Sequence, residues 1–151
     1  MTHPEVVIVG IKPDPESGVV VLWCSGGSVA HVDTHDDPWV TLRNLHQWGP
    51  ALPAPLVWVA IECSIVGKGT PRKTREESMG TIAQAEALRD AVRANGLPLQ
   101  FLPAGSVKPV VTDANLQRFG VWDMLTPRHQ RDAARHAVYM GVKYGALKPE
   151  V

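Results

Sequence analysis

The chain has 151 residues, of which 44% are hydrophobic and 20% are charged, and its formal net charge is zero. This size and balance fit a single soluble domain over residues 1–151 and argue against a general polyanion-binding protein. No apolar run approaches about 18 residues, the start lacks signal-peptide features, and Cys24 and Cys63 are too few for a disulfide framework. We therefore expect a cytoplasmic protein without membrane contact, in which both cysteines are small, semi-buried residues.

The zero net charge is unevenly divided along the chain. Residues 1–62 contain seven acidic and two basic side chains, whereas residues 63–151 contain eight acidic and thirteen basic ones. A basic half within a compact domain can present a positive face to a polyanion. The alternative is a mixed, solvated surface without a binding role.

The first third of the chain has the pattern of a three-stranded antiparallel meander. Val6–Ile11 and Val19–Cys24 are rich in β-branched residues, and a third strand follows the turn at Ser25–Gly27. The period then changes to that of a helix, which Asp36 or Asp37 caps and which opens at proline 38.

Strands alternate with helices in the remainder of the chain. Leu56–Cys63 is short and almost wholly apolar, which is typical of a strand covered on both faces. Thr81 and Gln84 predict a capping box at the start of a second helix, which Gly96 is placed to end. The buried face of that helix is predicted to carry Ile82, Leu88 and Val92.

A short fifth strand at Leu97–Ala104, a loop with a shorter helix, and a final helix complete the chain. The final helix is capped by Thr126, opens at Pro127 and runs to about Lys143. The order β-β-β-α-β-α-β-α-α predicts an α/β protein whose five-stranded mixed sheet has helices on both faces. Three antiparallel strands followed by parallel additions are the architecture of the ribonuclease-H-like fold.

Three polar residues stand out against this pattern. Glu62 closes the central apolar strand, where a carboxylate is costly to bury unless it is paired or binds a metal; the alternative is a glutamate at the wet end of the strand. His129 and Asp132 share one face near the start of the last helix, or form only a local surface pair. In the predicted fold these positions converge, and such ligands suit Mg²⁺ or Mn²⁺ and phosphodiester hydrolysis.

Basic residues follow the central strand closely. A flexible loop there is well placed to hold DNA phosphates, with an affinity that falls steeply with salt. The glycines in this loop lack the spacing of a Walker phosphate loop, and no Ser/His/Asp grouping has nucleophile-elbow spacing. The basic residues of the loop are Lys68, Arg72, Lys73 and Arg75, and later ones include Lys108, Arg118, Arg128, Arg131 and Arg135.

Four segments, in this order, resemble the RuvC-type Holliday-junction resolvases, which are endonucleases of the ribonuclease-H-like superfamily. VGIKPDPESG resembles a strand that ends G-I-D-P-G, and VAIE resembles the family's A-I-E. SVKPVV resembles the V-K-x-x-V-V segment, and HQRDAARHAVYMG resembles the closing H-x-x-D-A helix. The likeness spans nearly the whole chain, whose short length suits a phage version of the enzyme.

The resemblance implies a structure-selective endodeoxyribonuclease. Glu62, Asp132 and His129 would be the ligands of two Mg²⁺ or Mn²⁺ ions, with Lys108 in contact with a DNA phosphate. The implied protein is a homodimer that binds a four-way or otherwise branched DNA junction and cuts two opposed strands symmetrically. The remaining basic residues of the loop, together with Arg118, would contact the DNA backbone.

One residue departs from the family in the first of these segments. Lys12, either natural or introduced, occupies the position of the family's first catalytic aspartate, and an ammonium group has no lone pair with which to ligate a metal. Asp14 is one substitute ligand, since strand alternation would return it to the same face. Alternatively, Lys12 neutralises Glu62 and leaves a junction-binding protein with impaired catalysis. A scaffold that keeps only the fold is the third alternative.

Overall fold

A computed structural model describes residues 5–13, 17–51, 56–63, 72–125 and 128–149, without the side chains of 45–51 and 72–78. Five strands form one mixed sheet in the order β3-β2-β1-β4-β5. The pairs β1–β2 and β2–β3 are antiparallel, and the pairs β1–β4 and β4–β5 are parallel, as predicted. The strands are β1 (Val6–Lys12), β2 (Gly18–Ser25), β3 (Ser28–His35), β4 (Leu56–Cys63) and β5 (Leu99–Pro103).

In the part of the chain that the structure describes, five α-helices and one 3-10 turn at Trp122–Met124 accompany the sheet. The backbone amide of Trp39 donates to Asp37 Oδ1 at 2.9 Å, so Asp37 is the residue that caps the first helix. None of the helices in the described ranges is long and apolar enough to cross a membrane. The helices are α1 (Pro38–Ala51), α2 (Arg72–Ala94), α3 (Ala104–Val107), α4 (Asp113–Arg118) and α5 (Arg128–Lys143).

The predicted start of the second helix is wrong. The helix α2 begins at Arg72, and Thr81 lies inside it instead of capping it. Arginine, lysine and glutamate are good helix formers, so this polar segment is helical although it lacks the apolar stripe from which a helix is predicted. The predicted end is confirmed, because Gly96 follows the last turn with a φ of +68°. Leu88 and Val92 are buried, as predicted.

Helices cover both faces of the sheet, which confirms the predicted ribonuclease-H-like architecture. On one face α2 packs with Leu88 against β-strand residues such as Val9 and Ile61. On the other face α5 packs against β1, β2 and β4, with Ala137 beside Ile8 in the same apolar cluster. The sheet is therefore fully buried at its centre, between two apolar layers.

A glycine on β1 allows α5 to approach the sheet closely. A Cβ built on Gly10 would collide with the carbonyl oxygen of Ala133 and lie 3.0 Å from the Cβ of Ala137. Because β1 is the middle strand and Ala133 lies in the second turn of α5, this approach holds the start of α5 near the end of β1. It thereby brings together two of the regions in which the sequence predicts site residues.

Candidate nucleic-acid interface

A cavity of about 250 Å³ lies where β1 ends and α5 begins. We call it the basic pocket and define it by its five lining residues. Lys12 is the last residue of β1, Lys108 directly follows α3, and the other three belong to the first two turns of α5. The pocket is lined by Lys12, Lys108, Arg128, His129 and Asp132.

A second glycine allows the first turn of α5 to lie close to the strands at this cavity. Gly18 pairs with Lys12 across the antiparallel β1–β2 ladder. A Cβ built on Gly18 would lie 2.8 Å from the backbone oxygen of His129. Any larger residue would therefore push the first turn of α5 away from the end of β1. The structure thus brings together Lys12, His129 and Asp132, three of the residues that the sequence singled out.

Asp132 lies buried at the base of the basic pocket between two cations. Its side chain is 7% exposed, and its Oδ1 lies 3.6 Å from Lys108 Nζ and 3.9 Å from Arg135 Nε. A buried carboxylate needs such partners to offset its lost hydration. Lys108 is thus held over the pocket by its pairing with Asp132.

Glu62 meets a residue that the sequence reasoning missed. Its side chain is 12% exposed, and its Oε1 lies 3.3 Å from Nε2 of His136, which is 1% exposed. The amide of Gln100 on β5 donates to the backbone oxygen of His136 at 3.2 Å. His136 follows Asp132 at i, i+4 on the same helix, so both side chains lie on one face of it. This spacing was the sequence signal that could have identified His136 as a site residue.

The remaining predicted DNA contacts do not gather at the basic pocket in the described part of the chain. Arg118 is exposed at the end of α4 and does not line it. Arg72, Lys73 and Arg75 belong to the first turn of α2 and not to a loop, and nothing is described of their side chains. The predictions for Lys68 and for Asp14 lie outside the described residues.

The donor set at this edge of the sheet does not fit the predicted two-metal centre. The basic pocket contains three cationic side chains and one carboxylate, and Glu62 is hydrogen-bonded to His136. Across residues 5–149, less the undescribed gaps, no three His, Cys, Asp or Glu side chains are grouped so that they could hold a metal ion. Hard cations need several oxygen ligands. Mg²⁺ or Mn²⁺ therefore stays a prediction of the resemblance.

Neither cysteine adds a nucleophile to the site. Cys63 is half-buried at the end of β4, and desolvation raises the pKa of its thiol. The charge of neighbouring Glu62 also raises this pKa, whereas a backbone hydrogen bond lowers it by less than the desolvation raises it. Burial raises the pKa of Cys24 to about 12. Because the thiolate is the reactive form, a raised pKa favours the unreactive, protonated thiol at both positions.

Comparison with known proteins gives a structural likeness only. No protein-family model matches the chain, and no curated protein matches it. A solved structure described as "T. thermophilus RuvC in complex with Holliday junction substrate" superposes with a TM-score of 0.59 and 19% sequence identity. The match covers 95% of this chain and 99% of that one. The chain has the RuvC fold. At this identity the likeness establishes the ribonuclease-H-like architecture and not an activity.

Proposed function

We propose that this chain binds branched DNA, four-way junctions above all, and that a DNA phosphate occupies the basic pocket. The observation that carries the proposal is the convergence of three cationic side chains in one cavity, from Lys12, Lys108 and Arg128. Lysine binds phosphate as a point charge, and arginine binds it through paired N–H groups. The Holliday junction bound to the RuvC structure of the same fold supports the same ligand class.

The surroundings of the basic pocket also favour an anion. The cavity lies at the N-terminus of α5, a 16-residue helix, where the helix dipole and the first backbone N–H groups favour negative charge. Asp132 would oppose a phosphate, but the ammonium of Lys108 and the guanidinium of Arg135 lie close enough to offset its charge. The pocket therefore keeps an excess of positive charge.

We propose that a dimer recognises the junction by its shape. A four-way junction presents two equivalent strands, and two copies related by a two-fold axis would place one basic pocket on each. Phosphate contacts position a protein on DNA, whereas branch geometry supplies the selectivity.

The second candidate function is metal-dependent hydrolysis of the junction strands, as in a resolvase. It is favoured by Glu62 and Asp132, two carboxylates with little exposure at the same edge of the sheet. Against it, Lys12 lies in the same cavity as Asp132. An endonuclease activity would require Mg²⁺ or Mn²⁺ to bind despite that lysine. The variant that separates the two candidates is Lys12→Asp.

Replacing Lys12 or Lys108 with glutamine tests the phosphate contact. We expect each change to weaken junction binding several-fold and to reduce the slope of log K against log salt by about one, because one phosphate contact is lost. Lys148→Gln is the matched control, since Lys148 is exposed and lies outside the basic pocket. Fluorescence anisotropy over a salt series measures both quantities. An unchanged slope in both pocket variants would refute the contact.

A further inference from the structure

A second cavity lies farther along α5 and has a different character. It measures about 320 Å³, and its walls come from the α3–α4 segment on one side and from α5 on the other. We call it the α5 pocket. Its lining is chiefly apolar, with one aromatic ring on each wall, and includes Val110, Phe119, Val138, Tyr139, Val142 and Lys143.

An open depression lies on the same side of α5, between the basic pocket and the α5 pocket. That depression is lined by Lys108, Thr112, Asp113, Ala114 and Arg135, so it shares Lys108 with the basic pocket. Each cavity is lined by a residue of α5: Asp132 in the basic pocket, Arg135 in the depression and Tyr139 in the α5 pocket. The three cavities therefore lie in a row along one side of α5, and we call this row the groove; the side chain of Arg135 separates the depression from the α5 pocket.

The far wall of this groove is fixed to α5. Arg135 donates from Nη1 to the backbone oxygen of Val111 at 3.0 Å and pairs through Nη2 with Asp113. These bonds hold the segment that precedes α4 against the helix, so the groove is a preformed feature. A preformed cavity loses less entropy on binding than one that must be ordered first.

We infer that the α5 pocket takes an unpaired nucleobase of the DNA strand whose phosphate occupies the basic pocket; this rests on the proposed function. A nucleotide combines an apolar ring with an anionic backbone, and the groove offers matching partners. Tyr139, which is partly buried, supplies aromatic surface for the base, whereas Phe119, 8% exposed, only closes the opposite wall. The ammonium of Lys143, 5.8 Å from the Tyr139 ring centre, supplies positive charge at the same pocket.

The spacing of the two cavities fits a strand of DNA. From Asp132 to Tyr139 the helix rises roughly 10 Å at 1.5 Å per residue. A stacked strand rises about 3.4 Å per nucleotide. The base in the α5 pocket would therefore lie two or three nucleotides from the phosphate in the basic pocket, within the unpaired region that a branch point or a fork can supply.

A fluorescent base locates the contact. We would place 2-aminopurine at each of the first five unpaired nucleotides of a forked duplex and measure its fluorescence when the protein binds. We expect quenching by stacking at one position, two or three nucleotides from the branch. Tyr139→Ala should abolish that quenching and weaken binding of the fork roughly 5-fold or more, the usual loss for one base–aromatic stack.

Matched variants separate the pocket from its surroundings. Trp39→Ala removes an exposed aromatic on α1 that does not line the α5 pocket, and it should leave both quantities unchanged. Val110 is 61% exposed, so both Val110→Glu and Val110→Gln should fold. The added charge of Val110→Glu should repel the DNA strand, whereas Val110→Gln should not repel it. Quenching at no position, or equal losses in Tyr139→Ala and Trp39→Ala, would overturn the inference.

Two further results keep this inference separate from the proposed function. If the unchanged protein shows no preference for branched DNA over linear duplex, the proposed function itself fails. If it prefers branched DNA and Tyr139→Ala binds the fork as tightly as the unchanged protein, only the base pocket fails. A shift from dimer to monomer in Tyr139→Ala on sedimentation would show that a second copy covers the pocket, which also overturns the inference.

Discussion

Gly10→Ala lowers the free energy of unfolding by about 2 kcal/mol or more, the cost of forcing an extra methyl group into a closely packed core. The new Cβ would collide with the carbonyl oxygen of Ala133 and press on the Cβ of Ala137. Neither neighbour can rotate away, so either α5 or the central strand must shift. Urea denaturation measures this loss of stability, with the dependence of the unfolding free energy on urea concentration compared between Gly10→Ala and the unchanged protein.

Gly80→Ala is the matched control for this effect. Gly80 lies within α2, and among the described residues a Cβ built there meets no heavy atom within 4 Å outside its own stretch of helix backbone. We expect this change to stabilise the protein by up to about 1 kcal/mol, because alanine is the better helix former. Equal destabilisation by both changes would mean that the close approach of α5 to β1 is not what Gly10 provides.

Lys12→Asp weakens junction binding by about tenfold or more in the absence of divalent metal, because it replaces a phosphate-binding cation with a repelling carboxylate. The same change adds a carboxylate to the pocket that holds Asp132 and His129. We therefore expect the variant to bind Mn²⁺, a hard cation that favours such ligands. Electron paramagnetic resonance of Mn²⁺ measures this binding without relying on activity.

Lys12→Asn is the control, since it removes the cation without adding a charged ligand. Junction cleavage with Mg²⁺ or Mn²⁺, measured on the unchanged protein and on both variants, then separates the two candidate functions. Cleavage by Lys12→Asp alone would identify Lys12 as the block to a resolvase activity. Cleavage by the unchanged protein would favour the resolvase over the binding protein, and Mn²⁺ bound equally by all three would contradict the role given to Lys12.

The sheet was predictable from the sequence, whereas the start of α2 was not. Runs such as Val6–Ile11 and Leu56–Cys63 carry strong β-branched, apolar signals, and the alternation of strands and helices then limits the topology. The segment that begins at Arg72 is polar and follows glycine and proline, so it lacks the periodic apolar stripe that predicts a helix. Its helical state depends on propensity and on the continuation into the packed turns beyond it.

The site was only partly predictable, for reasons of packing. The convergence of Lys12 with Asp132 and His129 followed from the fold and the resemblance. The pairing of Glu62 with His136 was missed because only His129 and Asp132 stood out on the last helix, whereas His136 lies among buried apolar positions. The α5 pocket depends on how two segments far apart in the sequence pack together, which no local pattern reports.

The proposed function requires that the basic pocket binds the phosphates of branched DNA without a metal ion. The most direct measurement is the affinity for a four-way junction and for a linear duplex of equal length, both in EDTA at moderate salt. We predict tighter binding of the junction, and a loss of that preference in the Lys12→Gln, Lys108→Gln double variant. Equal, weak binding of the two DNAs, or a preference that the double variant retains, would contradict the account.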